Sequence, residues 1–308
     1  VGILLKPPQP QQRNLDMLIN SLAKTLSNGD AIKEHYNSEF WKTVRKQANA
    51  KLASAIRPDG SLIWDKLPKI LSSSPKLEKN PDGQDYLANA FYGAPSWASL
   101  MNTCATATFG CATNCLNESG HGQRHMINNG VHHVHVARMV RTLIWFKYRD
   151  QFKARVQREI ESLKRRAKAL NVPLAIRPNG TTDLRFEKLW PELFANNPDV
   201  QFWDYTKDMT RNVDSIPNYS LCYSVHENTT DSDIEQAFAN GLNCVVVGRL
   251  KRNDKKPATY MGRPVVDGDK HDLRFLDPTG HFVLLFAKGN AYGDKTGFVR
   301  DVVELESV

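Results

Sequence analysis

Three cysteines fall within twelve residues, in Cys104-Ala-Thr-Ala-Thr-Phe-Gly-Cys111-Ala-Thr-Asn-Cys115, a C-x6-C-x3-C spacing. Thiolates are soft ligands that suit zinc and iron–sulfur clusters. A short, glycine-containing loop can bring three of them onto three irons of a [4Fe–4S] cube, leaving the fourth iron open to a substrate or cofactor. Cys104, Cys111 and Cys115 are therefore the expected metal ligands. Cys222 and Cys244 sit inside apolar runs and read as core residues.

An open iron of this kind is the logic of radical S-adenosylmethionine enzymes, where S-adenosylmethionine chelates it, although their usual spacing is C-x3-C-x2-C. Zinc is the alternative: Cys111, Cys115, His121 and His125 offer two thiolates and two imidazoles near finger-like spacing. The expected cofactors are thus a [4Fe–4S] cluster with S-adenosylmethionine or another chelating ligand, or a zinc ion. A third chemistry rests on His133-Val134-His135, a His-hydrophobic-His triplet such as rolling-circle nucleases use to hold a divalent metal. There the pair lies on a strand, whereas here it opens a helical segment.

Polar clusters follow several short apolar runs. Asn179-Gly180-Thr181-Thr182-Asp183 offers amide, hydroxyl and carboxylate groups on a backbone that a ligand can approach at Gly180. With Ser224 these are the expected cofactor-binding residues: Asn179, Gly180, Thr181, Asp183 and Ser224. A turn with a helix N-cap would account equally well for Thr182 and Asp183. Asp204, Lys207 and Glu227 follow the next two runs and are the expected catalytic groups. The acidic stretch Asp267 to Asp277 either binds a cation through hard oxygens or is a charged loop pinned by Arg274.

The formal charge of +8 is concentrated in one segment. Residues 138–168 hold eleven Lys/Arg and three Asp/Glu, which equals the whole excess. A basic helix attracts phosphate backbones, so Arg138, Arg141, Arg165 and Arg166 are the expected nucleic-acid contacts; the other reading is a solvated helix face. No apolar run approaches the roughly 20 residues of a membrane helix, so no membrane partner is expected. The opening Val1–Pro8 run, short and quickly interrupted, is not expected to act as a secretory signal. An odd, clustered set of five cysteines points to a reducing compartment, the cytoplasm of the host cell if the chain is phage-encoded.

These groups need elements to hold them. Leu15, Leu18, Ile19, Leu22 and Leu26 repeat at helical spacing up to Asn28-Gly29, and Phe40, Trp41, Val44 and Leu52 form a second stripe ending near Pro58-Asp59-Gly60. Residues 72–84 read as a linker. Val131 to Leu170 is helical, as two helices meeting near Arg149-Asp150. Then strand-like runs at 172–177, 200–203, 219–223, 243–247 and 281–286 alternate with helical candidates at Leu184–Phe194 and Ser232–Ala239. The expected fold is α/β, an incomplete (β/α) barrel of mostly parallel strands in residues 96–308, preceded by a helical N-terminal extension over 1–95. Parallel folds place function at the carboxyl ends of their strands, where these polar clusters lie.

In order, the motifs resemble an uncharacterised phage- or mobile-element-encoded family that is often loosely labelled replication-associated. The resemblance runs over about residues 100–300. It rests on Cys104-Ala105, Gly110-Cys111-Ala-Thr-Asn-Cys115-Leu116, Gly120-His121-Gly122, Ala137-Arg138-Met-Val-Arg141-Thr142, Arg177-Pro178-Asn179-Gly180-Thr181-Thr182-Asp183, Asp204 to Lys207 and Asp267 to Asp277. Ala105, His121 and Pro178 depart from the family pattern, and the Arg expected at 121 weakens the zinc alternative. The layout implied is that of a radical S-adenosylmethionine enzyme acting on a nucleotide or nucleic acid. The alternatives are a zinc-structured nucleic-acid-binding protein and a rolling-circle nuclease.

Overall fold

The computed structural model describes residues 28–118 and 130–302. Its centre is a ten-stranded sheet. The strands are β1 (Leu71–Ser72), β2 (Leu87–Phe91), β3 (Leu174–Arg177), β4 (Val200–Thr206), β5 (Tyr219–Ser224), β6 (Asn243–Gly248), β7 (Thr259–Tyr260), β8 (Arg263–Asp267), β9 (Phe282–Phe286) and β10 (Val299–Arg300). They lie in the order β1-β2-β3-β4-β5-β6-β9-β8-β7, with β10 paired to β6. From β2 to β8 every neighbouring pair is parallel, and only β1 and β7 join antiparallel. The sheet is not closed.

The helices are α1 (Asn28–His35), α2 (Glu39–Ala53), α3 (Phe109–Thr113), α4 (His133–Lys147), α5 (Arg149–Leu170), α6 (Phe186–Leu189), α7 (Glu192–Ala195) and α8 (Asp231–Ala239). α2 buries Trp41, Val44 and Leu52 of the stripe read from the sequence, together with Ala48, while Phe40 is part-buried. The long helical stretch is two helices, broken at Tyr148, whose backbone leaves the helical region (φ −135°, ψ 47°). α8 opens on a capping box between Thr230 and Asp233, and Gly241 (φ +75°) ends the turn after it. The expected helix over Leu184–Phe194 is instead two four-residue pieces, because Pro191 has no N–H to donate and Trp190 before it leaves the helical region (φ −159°, ψ 64°). The stripe over Leu15–Leu26 lies outside the described residues.

One face of the sheet, with Phe91, Leu174, Ile176 and Phe202, packs against α4 and α5 through Leu143, Trp145, Phe152 and Val156. Each such large apolar side chain contributes about 1.5–3 kcal/mol when fully buried. Trp41 and Val44 of α2 join this same core. Ala88, Ala90, Ala175 and Trp203 point to the opposite face, where Leu77 and Leu273 cover them. β1 and β2 therefore belong to the sheet although they precede residue 95, and the 72–84 stretch supplies a core residue, Leu77. Cys222 and Cys244 are buried, as their apolar runs imply. Among the described residues no helix is long and apolar enough to cross a membrane.

Because β2 to β5 are parallel and adjacent, the segments leaving them share one edge of the sheet. The segment after β2 holds the three cysteines. The segments after β3, β4 and β5 hold Asp183, Lys207 and Glu227.

Candidate functional site

Cys111 lies on α3, a helix too short to stand without external anchors. Thr108 caps it, its Oγ1 accepting from the Cys111 N–H at 3.3 Å. Glu227, after β5, accepts from Thr108 Oγ1 at 2.7 Å and from the Gly110 N–H at 2.5 Å. A carboxylate at a helix N-terminus satisfies donors that have no partner within the helix. At the other end Asn114 Nδ2 donates to Gly110 O (2.9 Å) and to Asp294 Oδ1 (2.7 Å). Only glycine fits at 110: a Cβ there would lie 2.3 Å from Thr296 Oγ1 and 2.8 Å from both Glu227 carboxylate oxygens.

Cys104 is stitched to the end of β3. The Asp183 N–H donates to Thr103 O at 2.8 Å, and Cys104 and Asp183 form an isolated parallel bridge. Ser96 sits in the left-handed region (φ +43°), and its N–H donates to Cys104 Sγ at 3.4 Å. Cys115 leaves α3 and receives the Asn117 N–H. The three thiols lie close enough to act on one another electrostatically. Burial, with Asp183 and Cys111 adding to it, pushes the Cys104 thiol up to about 12. Burial raises Cys115 further, with Cys111 and Glu118 contributing. The buried Tyr36 hydroxyl feels all three sulfurs.

Donors around the thiols lack acceptors. Tyr36 Oη, Ser96 Oγ, Asn117 Nδ2 and Arg138 Nε are buried and have no hydrogen-bond partner among the described residues. An unpaired buried polar group costs about 1–3 kcal/mol, so four such donors on residues neighbouring the cysteines suit an acceptor-rich occupant. Thiolate and inorganic sulfide are such acceptors, and hydrogen bonds to sulfur are among the levers that tune iron–sulfur clusters. The donor set therefore fits the expected cluster. Among the described residues no group of three or more His, Cys, Asp or Glu is disposed to hold a metal ion as it stands. A single tetrahedral zinc would need its sulfurs drawn to about 2.3 Å from one point, whereas a cube spreads them over separate irons. His121 and His125, which the zinc alternative needs, lie outside the described residues.

Lys207, after β4, reaches into the same place. Its ammonium contacts Cys111 and donates to Ser224 Oγ at 3.1 Å. Burial works against that charge, but Cys111 and Asp183 outweigh it and hold the pKa above the ordinary lysine value. Asp183 accepts from the Lys207 N–H (3.0 Å), Thr206 Oγ1 (3.1 Å) and Arg211 Nη1 (2.8 Å), so its carboxylate orders the neighbourhood and has little capacity left. Arg211, fully buried, also pairs with Glu187 at 2.8 Å.

The rest of the Asn179–Asp183 cluster is consumed by structure. Asn179 is 0% exposed. Its N–H and Nδ2 both donate to the Asp204 carboxylate at 2.7 Å, and its Oδ1 accepts from Thr182 Oγ1 and the Leu184 N–H. Asp204 takes a further bond from Tyr219 Oη (2.7 Å). Burial lifts its pKa to about 6 against the pull of Arg211 and Arg177. Asp204 is thus a fully bonded buried group below the mouth. Thr181 Oγ1 donates to Gly93 O at 2.6 Å. The close approach at Gly180 is made by the Tyr92 ring, 2.6 Å from where a Cβ would stand, not by open space. Thr182 and Asp183 cap no helix, since α6 begins after Arg185.

The other groups separate. His133 is exposed at the start of α4, while His135 is 1% exposed and packs edge-on against Phe40 and Trp41 at 5.1 and 6.0 Å. The two imidazoles do not converge. Arg141 is buried, donating to Lys69 O at 2.6 Å, and Arg138 turns inward to Asn117 and the Tyr92 ring. Neither presents its guanidinium to a phosphate backbone. Arg165 and Arg166 are exposed on α5. In the acidic stretch Asp267 and Asp269 meet Lys256, Asp272 meets Lys76 and Arg177, and Asp277 meets Arg274, which is the pinned-loop alternative.

A model of the family described as gene product 88 matches residues 43–302 of the 308. The chain belongs to the gene product 88 family. The match runs from α2 to the end of β10 and takes in the whole sheet and the cysteine loop, and the family is of phage type. No curated protein and no solved structure matches the chain.

For this gene product 88 member, several groups at the site carry no sequence signal. Tyr36 and Ser96 stand in no motif. Thr108 and Asp294 have weak ones, a Thr ahead of a short Gly-containing run and an Asp-x-Thr-Gly turn. Glu118, bound to His35 at 3.1 Å beside Cys115, lies three residues past the last cysteine.

Proposed function

We propose that the chain is an iron–sulfur enzyme of phage type, with Cys104, Cys111 and Cys115 holding a [4Fe–4S] cluster whose fourth iron takes S-adenosylmethionine. The observation that carries this reading is the gathering of three thiols on the segment after the first parallel strand. They meet the groups delivered by the next three strands, Asp183, Lys207, Ser224 and Glu227, at one edge of the sheet. In this reading the consecutive parallel strands are an incomplete (β/α) barrel, and the protein works in the host cytoplasm on a nucleotide or nucleic acid.

The cluster, when bound, supplies one-electron chemistry. The chain's own residues hold and shield it. Glu227 and Thr108 fix the α3 turn that aims Cys111. The four buried donors find no acceptor among the described residues and would donate to the sulfur of a bound cluster. Lys207 brings a positive charge beside Cys111, where it offsets the negative charge of thiolates and can take an anionic group such as a carboxylate. Asp183, saturated by Arg211 and the Lys207 N–H, orients that lysine.

Iron and acid-labile sulfide would be measured in anaerobically prepared protein beside Cys104→Ala, Cys111→Ala and Cys115→Ala. The reading predicts about four of each per chain, the content of one [4Fe–4S] cube, and loss in all three variants. One zinc and no iron would replace it with a zinc-structured nucleic-acid-binding protein.

A further inference from the structure

We infer that the outer face of α5, with the turn at Trp64, is a binding groove for single-stranded nucleic acid. A cavity of about 440 Å³ lies between the 57–65 segment and α5, lined by Arg57, Trp64, Asp65, Gln151, Arg155 and Arg158. Three guanidinium groups and an indole share it, with one carboxylate at the rim. The Arg155 guanidinium lies over the Trp64 ring at 5.3 Å, which makes a flat, cationic platform.

The groove is built. Arg57 Nη1 donates to Ser61 Oγ and Leu62 O at 3.2 Å, and Gln151 Oε1 accepts the Leu62 N–H at 2.8 Å. Glu159, the acid nearest Arg155, is also spent on the Ile70 and Leu71 N–H groups at 3.2 and 2.7 Å. It also pairs with Arg155 Nε at 2.8 Å, so Arg57 and Arg158 are the cations of the groove that make no ion pair with a carboxylate among the described residues. Arg158 is exposed and makes no ion pair among the described residues.

The cavity opens onto a stripe. At about 100° per residue, Arg155, Arg158, Arg165 and Arg166 fall within an arc of about 100° on α5 and run for about 17 Å along it. Arg165 and Arg166 are exposed and make no ion pair among the described residues. One nucleotide could satisfy the platform but would leave the stripe unused, so the geometry calls for a chain of phosphates. Trp64 is part-buried against the core and carries Arg155 over its ring, so a base reaches this stack only when unpaired and not from inside a duplex, which favours a single strand. The site uses neither Arg138 nor Arg141.

This names the partner of the nucleic-acid reading above, but the groove lies on the outer helical layer and does not need the cluster. The test is fluorescence anisotropy of a labelled 15-nucleotide oligothymidylate at several salt concentrations, with the full chain. Replacing Arg158, Arg165 and Arg166 together by Ala should weaken binding and flatten the logarithmic salt slope by about 2, from roughly 0.7 per phosphate contact. Trp64→Leu should weaken binding about tenfold and leave that slope unchanged. Cys111→Ala should bind as the parent does, so a failed cluster reading would not disturb this result. No binding at 50 mM salt, an unchanged slope in the triple variant, or a duplex bound as tightly as the single strand would overturn the inference.

Discussion

Replacing Glu227 with alanine leaves Thr108 Oγ1 and the Gly110 N–H without the carboxylate that accepts from them at 2.7 and 2.5 Å. Hydrogen bonds to a charged group contribute about 1.5–3 kcal/mol each; for this part-buried carboxylate the lower end applies, or about 3 kcal/mol in total. α3 has five residues and no long helix to share the loss. The cost should therefore appear as local opening of the turn that carries Cys111, while the sheet stays folded. At about 1.4 kcal/mol per tenfold, the opening equilibrium should rise about 100-fold. Hydrogen exchange of the 105–118 peptide, read by mass spectrometry, measures it. Glu227→Gln, whose amide oxygen still accepts from one donor, should show roughly half the effect in free energy. Unchanged exchange in 105–118 with Glu227→Ala would refute the idea that this carboxylate holds the cysteine turn.

Gly110→Ala forces a methyl against Thr296 Oγ1 and the Glu227 carboxylate and should lower stability by about 1–3 kcal/mol, seen as a lower thermal midpoint. Arg141→Ala strands the Lys69 carbonyl and should cost about 1–3 kcal/mol in urea unfolding, with oligonucleotide affinity unchanged. Asp269 accepts from Lys288, Lys256 and the Phe286 N–H, which together overcome burial and lower its pKa to about 2. A depressed carboxylate contributes stability above its unfolded pKa of about 4, and that contribution disappears as pH falls through about 2. Asp269→Asn should thus be about 2 kcal/mol less stable than the parent at pH 7, and the gap in urea unfolding should close as pH falls from 4 toward 2.

The strands that announced themselves were those with branched and aromatic side chains, such as Val245–Val247 and Phe282–Phe286. β2 did not. Leu-Ala-Asn-Ala-Phe has two alanines where a strand signal needs bulk, and those alanines are small because Leu77 and Trp203 crowd that face. Glu-Lys-Leu-Trp-Pro-Glu-Leu-Phe has helical spacing, but periodicity does not register the missing N–H of Pro191. The cysteine spacing and the order of Asp183, Lys207 and Glu227 were legible because chemistry and chain order coincide at the edge of a parallel sheet. Asn179 and Asp204 have the composition of a ligand site, yet their bonds are spent on each other, which only the third dimension shows. Arg138 and Arg141 share a basic run with Arg165 and Arg166. Their place on α4 faces β2 and its following loop, so the same residue type becomes a buried brace in one helix and, in the next, an exposed cation with no ion pair among the described residues.

Cys104, Cys111 and Cys115 are proposed to hold a cluster with one open iron. Electron paramagnetic resonance of the anaerobically reduced protein, before and after adding S-adenosylmethionine, tests it most directly. The expected result is the signal of a one-electron-reduced [4Fe–4S] cluster that changes shape when S-adenosylmethionine binds and is absent in Cys111→Ala. A cluster signal that S-adenosylmethionine leaves unchanged would contradict the open iron, and a protein that carries zinc and gives no signal would contradict the cluster itself.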